Sequence, residues 1–180
     1  IHPLQVTTEI TVQNISDGIT LQQEIRKKGE GAYSPLGQKP VKQTNVQTVF
    51  PVQEICLWEP ENPHLYEIRT SLWKNGEMID ARVDITGFRE AGFRKDGFYL
   101  NGKKLRLRGL NRHQSYPYVG YAAPASMQIF DADILKKELG VNAVRTSHYP
   151  QSQDFIRRCD EIGLLVFTEF PGWQHIGGEE

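Results

Sequence analysis

Two strand-like segments joined by one helix-length segment constrain the fold of this chain most strongly. Residues 105–113 begin as an apolar strand and end in polar residues, and residues 141–149 repeat the pattern. The residues between them have the length that a βαβ crossover needs, and such a crossover joins parallel strands. Each segment therefore brings an arginine and a histidine to the carboxyl end of a strand, where parallel α/β folds bind ligands.

The strand and helix pattern continues after residue 149. Ser126 is predicted to cap the first helix, and a second helix with a periodic apolar face is predicted to end at Gly163. Residues 164–170 are nearly all apolar, as expected of a strand buried on both faces. The order is βαβαβ, and its open apolar edge favours a piece of a longer chain that continues into a closed (β/α)8 barrel.

The first half of the chain has a different pattern. Residues 4–87 alternate with period two between turn residues, which is typical of half-buried strands. Asn75-Gly76 predicts a hairpin turn because both residues tolerate positive φ, and Asn101-Gly102 predicts a second one. Residues 28–40 are predicted as a loop. We therefore predict an antiparallel β-sandwich domain over residues 1–87, followed by an α/β domain over residues 88–180.

Composition excludes several classes of function. The chain has 21 Lys and Arg against 22 Asp and Glu, so nothing in its charge favours nucleic acid or an anionic membrane surface. No apolar run approaches the roughly 20 residues of a membrane-spanning helix. Cys56 and Cys159 fit neither a disulfide framework nor a zinc site, and each suits a buried position.

The polar residues at the strand ends are candidates for ligand binding. His113 and His148 with their neighbouring arginines suit hydrogen bonding to a polyhydroxylated or anionic ligand, although loop histidines also serve only local structure. A metal site would need Glu169 or His175 as a third ligand, and the nearby cations oppose it. Glu169 is either an acid/base residue or a structural carboxylate paired with Arg145. Aromatic loop residues can stack on sugars or simply pack.

Four blocks of the sequence resemble one family of enzymes. The blocks are DGFYLNGKK (96–104), RGLNRH (108–113), NAVRTSHYP (142–150) and CDEIGL (159–164). Together they strongly resemble glycoside hydrolase family 2, and within it the β-galactosidases. A looser resemblance over residues 57–66 matches the end of the immunoglobulin-like domain that precedes the barrel in this family. The resemblance implies an all-β immunoglobulin-like sandwich followed by α/β structure, a partial (β/α)8 TIM barrel.

The same resemblance implies a retaining exo-glycosidase that hydrolyses terminal β-D-galactosides. Such an enzyme uses one glutamic acid as acid/base and a second as nucleophile. Both are expected beyond residue 180, so no catalytic residue is predicted here and the chain alone is expected to be inactive. The alternatives are a β-glucuronidase-like or other family 2 glycosidase, and a non-catalytic carbohydrate-binding or adhesion protein.

Roles for individual residues follow from the family motifs. His113 and His148 match histidines that contact the sugar, and Asn111 and Arg112 complete the first-strand motif in a supporting role. Trp173 is predicted from its place in a loop to add aromatic surface for the sugar. Arg145 matches an arginine that lies against the nucleophile, and Glu169 is predicted to support it. The predicted sugar-binding residues are His113, His148, Asn111, Arg112 and Trp173.

No cofactor is predicted. Gln114 and Trp173 stand where the large galactosidases have acidic residues, which argues against their magnesium site. The predicted partner is a β-glycoside, with a galactoside expected, and neither nucleic acid nor a membrane is predicted to bind. A homo-oligomer is left open, as is the choice between the cytoplasm and the periplasm of a bacterium.

Overall fold

The structure, a computed structural model, describes residues 4–52 and 54–172. The chain divides into two compact units. The first contains the described residues up to Cys56 and those from His64 to Phe88, and the second contains Leu57–Pro63 and the described residues from Arg89 onward. Within these ranges, no helix combines the length and the apolar character needed to cross a membrane.

The first unit consists of antiparallel strands in two sheets. Its strands are β1 (Gln5–Thr11), β2 (Ile19–Lys27), β3 (Ser34–Pro40), β4 (Asn45–Pro51), β5 (Tyr66–Lys74) and β6 (Glu77–Thr86). β1 pairs with β4, and the other four form a sheet in the order β3-β2-β5-β6. Side chains from both sheets share one core cluster, which contains Val12, Ile19, Leu21, Val41 and Val46. This arrangement is the predicted sandwich.

β3 is a strand where the sequence predicted a loop. Pro35 and Pro40 lie within it, and proline cannot donate a backbone hydrogen bond to a neighbouring strand. They are tolerated because β3 lies at the edge of its sheet and pairs only with β2. A register shift at Gln23/Glu24 accompanies this pairing. A short, proline-containing edge strand therefore lacks the alternating pattern that identified the other strands.

Both predicted Asn-Gly turns are present. Asn75 and Gly76 have φ values of 52° and 82° and join β5 to β6. Asn101 and Gly102 have φ values of 50° and 76° and join two short strands of the second unit, β8 (Gly97–Leu100) and β9 (Lys103–Lys104). β7 (Ala91–Arg94) completes this small sheet in the order β7-β8-β9. Positive φ at both central positions matches the twist of a tight hairpin.

The predicted βαβαβ order is also present in the second unit. The parallel sheet has the order β10-β11-β12, formed by Gly109–Arg112, Ala143–Thr146 and Leu165–Thr168. α1 (Ala125–Asp133), extended by a π-helical turn, connects the first two strands, and α2 (Gln153–Ile162) connects the last two. The three strands do not close into a barrel among the described residues, consistent with the predicted partial barrel.

The helix ends agree only in part with the sequence prediction. α1 begins at Ala125 with Pro124 in the capping position, rather than with Ser126 as the cap. The proline ring fixes the φ of Pro124 at −66°, a value that suits the residue before a helix. α2 ends at Gly163, whose φ of 77° provides the predicted left-handed stop.

The parallel sheet separates its side chains onto two faces. Val144 and Val166 pack against the helices in a core cluster with Phe155. Arg145, the next residue after Val144, lies on the opposite face with Asn111 as its register partner. That face borders a cavity of about 510 Å³. Because side chains alternate along a strand, the polar residues that precede the strand ends are directed away from the helices.

The loop of residues 57–63 packs within the second unit. The ring of Trp58 is buried, and its Nε1 donates a hydrogen bond of 2.8 Å to the carbonyl of Asp160. Lys136 Nζ donates to the carbonyl of Pro60 at 2.9 Å, and burial lowers the pKa of this ammonium group. The predicted division at residue 87 assigned this loop to the sandwich. Burial of the indole ring explains why it packs with the following unit instead.

The two cysteines occupy different environments. Cys159 is fully buried in the helix-facing core, and burial raises the pKa of its thiol to about 12. Cys56 is exposed. The preference of cysteine for the interior therefore holds for one of the two residues.

The guanidinium of Arg112 is buried on the helix side of β10. It donates to Asp131 Oδ2 through Nε at 2.9 Å and through Nη2 at 2.6 Å, and to Gln128 Oε1 at 2.7 Å. Nη1 donates to Gln151 Oε1, whose amide donates back to the Arg112 carbonyl at 2.6 Å. The guanidinium also lies 4.0 Å from the centroid of the Phe155 ring. One buried cation thus joins β10, α1 and the residues before α2.

We expect Asp131→Ala to lower the free energy of unfolding by about 3 to 5 kcal/mol, because it leaves the buried Arg112 without its counter-charge. Asp133→Ala on the same helix is the matched control. Its partners Arg158 and Lys137 are 26% and 58% exposed in the side chain, against 6% for Arg112, so a loss of about 0 to 1 kcal/mol is expected. Chemical denaturation measures both changes. Equal losses would contradict a special role for the buried cation.

Candidate functional site

Two histidines meet at the carboxyl end of the parallel sheet. His113 follows β10 and His148 follows β11, and their ring centroids lie 5.6 Å apart at an interplanar angle of 72°. The parallel register brings them together, since Arg112, one residue before His113, pairs with Thr146, two residues before His148. His113 is exposed and His148 is partly exposed. Imidazole groups in this position can exchange hydrogen bonds with the hydroxyl groups of a ligand.

Glu169 follows β12 and joins this group. Its carboxylate accepts a hydrogen bond from Arg145 Nε and contacts His148 Nδ1 at 3.2 Å, and its backbone N–H donates to Thr146 Oγ1 at 3.1 Å. Partial desolvation acts to raise the pKa of Glu169, but the hydrogen bond and charge of Arg145 hold that pKa below its ordinary value. A carboxylate kept ionised in this way is a poor proton donor at neutral pH. The pairing with Arg145, one of the two alternatives from the sequence, is present.

The cavity beside the sheet collects the polar groups of all three strands. Asn111, Arg145 and Glu169 each contribute to its lining. Asn111 and Arg145 are direct partners in the parallel register, and Phe167 continues the same row on β12. The cavity therefore offers an amide, a guanidinium and a carboxylate on one side. This set can bind hydroxyl groups and can hold a further charged group in place.

Arg112 stands apart from this group. The Arg112 side chain lies on the helix side of the sheet, because it alternates with Asn111 along β10. Its Nε, Nη1 and Nη2 all donate to side chains of the helical layer. The Arg112 side chain is therefore placed to stabilise the strand and not to contact a ligand in the cavity. Trp173 lies outside the described residues.

Glutamine side chains connect the two loops that carry the histidines. Gln114 Oε1 accepts a hydrogen bond of 2.7 Å from the backbone N–H of Ser152. The backbone N–H of Gln114 donates to Tyr149 Oη at 3.3 Å. The side-chain amide of Gln151, in the second loop, donates to the backbone carbonyl of Arg112, the residue before His113. The sequence did not predict these residues as functional. Glutamine has no characteristic pattern, and its use here depends on a partner more than 30 residues away.

The described residues do not fit a metal ion. In residues 4–52 and 54–172, no three or more His, Cys, Asp or Glu side chains converge in a way that could hold one. The side-chain oxygen of Gln114 is already an acceptor for Ser152. Glu169 is paired with Arg145, whose positive charge would oppose a cation. Gln114 and Glu169 are therefore poorly suited to hold magnesium, and Trp173, the other position on which the prediction rests, lies outside the described residues.

Several proteins of known name are similar to this chain in sequence or in structure. A β-galactosidase of Thermoanaerobacterium thermosulfurigenes is 57% identical over 142 residues, covering 79% of this chain and 19% of that protein. A β-galactosidase of Thermoanaerobacter pseudethanolicus is 48% identical over 177 residues, covering 98% and 24%. The crystal structure of a Bacteroides uniformis β-glucuronidase matches with a TM-score of 0.76 at 32% identity, covering 93% and 21%. The chain thus spans a minor part of each relative.

Models of protein families match both units. The model described as "Glycosyl hydrolases family 2" matches residues 3–89, and that described as "Glycosyl hydrolases family 2, TIM barrel domain" matches residues 92–177. The first match covers the sandwich, and the second covers the parallel strands with the histidines and the Arg145–Glu169 pair. Since one family accounts for both, the chain belongs to glycoside hydrolase family 2.

Proposed function

We propose that the chain is part of a retaining exo-glycosidase that releases terminal β-D-galactose, and that it forms one wall of the pocket for that sugar. The observation that carries this proposal is the meeting of His113, His148 and the Arg145–Glu169 pair at the ends of adjacent parallel strands. Barrel enzymes bind their substrates at this edge. Two relatives named β-galactosidases, at 57% and 48% identity, support the choice of sugar.

The histidines are assigned to the sugar hydroxyl groups. A neutral imidazole carries one donor and one acceptor nitrogen, which suits a hydroxyl group that both donates and accepts. The contact of His148 Nδ1 with Glu169 orients the ring at 3.2 Å. Since the Glu169 carboxylate is ionised, it favours a proton on that nitrogen and leaves Nε2 as the acceptor in the neutral ring. Asn111, in the same cavity, adds a further amide for hydrogen bonding.

Arg145 is assigned to the nucleophilic carboxylate of the retaining mechanism. Its side chain is 47% exposed, and it borders the cavity. A fixed guanidinium beside a carboxylate stabilises the ionised form, which is the form that attacks the anomeric carbon. Glu169 then holds the guanidinium in position. This role agrees with the lowered pKa of Glu169, which stays ionised and does not supply protons.

The two catalytic carboxyl groups are assigned to parts of the enzyme outside this chain. Retaining hydrolysis needs an acid/base and a nucleophile about 5 to 5.5 Å apart. Among the described residues that line the cavity, Glu169 is the one carboxylate, and Arg145 already neutralises it. The described residues that line the cavity therefore lack the pair that the mechanism requires, and we expect the isolated chain to be inactive.

A β-glucuronide is the second candidate substrate, because the Bacteroides uniformis structure of similar fold is named a β-glucuronidase. A glucuronide carries a carboxylate, which would need a cation in the sugar pocket. Arg145 is the cation that borders the cavity in the described part of the chain, and it is paired with Glu169. Since Arg145 is assigned to the nucleophilic carboxylate, the described cavity lining offers no further cation for a glucuronide, which favours the neutral galactoside. A non-catalytic carbohydrate-binding protein is the candidate from another class.

We expect the full-length protein that contains this chain to hydrolyse 4-nitrophenyl β-D-galactoside with a higher kcat/KM than the matching β-D-glucuronide. The isolated 180-residue chain, assayed in parallel, is expected to release no nitrophenol. A preference for the glucuronide would contradict the proposed sugar. Saturable binding of galactose without turnover of either substrate would support the non-catalytic alternative and reject the glycosidase.

We expect His148→Ala in the full-length enzyme to reduce kcat/KM by roughly 30- to 1000-fold, or about 2 to 4 kcal/mol, because a hydrogen bond to a sugar hydroxyl strengthens in the transition state. His64→Ala, in the first unit, is the matched control and should leave the rate unchanged. Thermal unfolding checks that both variants remain folded. An unaltered rate for the folded His148→Ala variant would exclude the assigned role.

A further inference from the structure

A row of aromatic rings extends from the candidate sugar-binding histidines to the protein surface. His148 contacts His113, and the His113 ring lies 6.2 Å from that of Tyr149 at an angle of 60°. Tyr149 in turn contacts Tyr121, with ring centroids 5.7 Å apart at 84°. Tilted and edge-to-face pairs at these distances are attractive. These four residues, the aromatic row, therefore form one continuous surface that ends at Tyr121, which is 65% exposed.

The loop that carries Tyr121 is anchored although it lies at the surface. Tyr116 and Gly120 form a β-bridge with backbone hydrogen bonds of 3.1 and 2.9 Å in opposite directions. The Tyr116 hydroxyl donates to the carboxylate of Asp131 and lies 3.3 Å from the carbonyl of Met127. Burial, together with the hydrogen bond to Asp131, raises the pKa of Tyr116 to about 12, so the hydroxyl keeps its proton. The loop is thereby attached to α1.

Tyr149 is also held in place. Its hydroxyl accepts a hydrogen bond from the backbone N–H of Gln114. Burial, and after it the hydrogen bond with Tyr121, raises the pKa of Tyr149 above its ordinary value. The ring of Tyr149 is therefore fixed by the hydrogen bond from Gln114 and by its edge-to-face contact with Tyr121. A ligand that lies against them would not have to order either side chain, which reduces the entropic cost of binding.

The position of the aromatic row indicates which part of a substrate it would contact. If the histidines hold the glycosyl unit, the group next to that unit is the leaving group. Exposed aromatic rings offer flat apolar surface, and they bind other flat apolar surfaces by stacking. Resting on the function proposed above, we propose that Tyr121 and Tyr149 form a subsite for the leaving group of the glycoside, with selectivity for an aromatic one.

Competitive inhibition of the full-length enzyme tests this subsite. The probes are the phenyl and methyl β-thioglycosides of the sugar that the enzyme hydrolyses fastest, because they share the glycosyl unit and differ only in the leaving group. Wild-type enzyme should bind the phenyl compound more tightly. Tyr121→Ala should reduce that preference by about three- to tenfold while leaving the inhibition constant of the methyl compound unchanged. Tyr121→Phe keeps the ring and should retain the preference.

Tyr118→Asn is the matched control in the same loop. Tyr118 is fully exposed, and its ring takes part in none of the ring contacts found in residues 4–52 and 54–172. Its φ of 71° is one that asparagine tolerates, so the turn should persist. Both inhibition constants should stay at wild-type values, and thermal unfolding should be unchanged in all three variants.

Several outcomes would overturn the subsite. They are an equal weakening of both probes by Tyr121→Ala, an unchanged preference in that variant, a loss of preference in Tyr121→Phe, and a wild-type enzyme that does not distinguish the probes. If the wild-type protein hydrolyses no glycoside, the proposed function itself fails and the subsite falls with it. If hydrolysis is normal and the preference does not depend on Tyr121, only the subsite is rejected.

Discussion

The buried guanidinium of Arg112 holds together the part of the chain that carries the candidate site. A cation removed from water needs a full set of acceptors, and here Asp131, Gln128 and Gln151 supply them. These acceptors belong to α1 and to the residues before α2, so both helical segments are fixed relative to β10. His113 is the next residue along the chain. The position of an exposed histidine is therefore set by the buried arginine that precedes it.

The two faces of the parallel sheet differ in the side chains that they carry. The helix side contains the apolar cluster around Val144 and the Arg112 network, and it stabilises the unit. The cavity side presents Asn111 with the Arg145–Glu169 pair, where opposite charges compensate each other. This separation lets the cavity side remain polar without weakening the core.

Much of the fold could be predicted from the sequence because its signals are local. The Asn75-Gly76 turn and the left-handed stop at Gly163 depend only on neighbouring residues, and both are present as predicted. β3 was missed, since Pro35 within it indicates a loop and only its edge position makes a strand acceptable. The cap of α1 was misplaced by two residues, because Pro124 sets the entry of the helix through its own ring.

The sequence by itself determined the βαβαβ order and placed His113, His148 and Arg145 at the ends of parallel strands, because strand and helix periodicity can be recognised one segment at a time. Only the tertiary structure decided what lay on each face. It directed Arg112 into the helical layer, paired Glu169 with Arg145, and brought Tyr121 against Tyr149. These arrangements depend on contacts between residues far apart in the chain, and which face of a strand is covered becomes defined only when the helices pack against it.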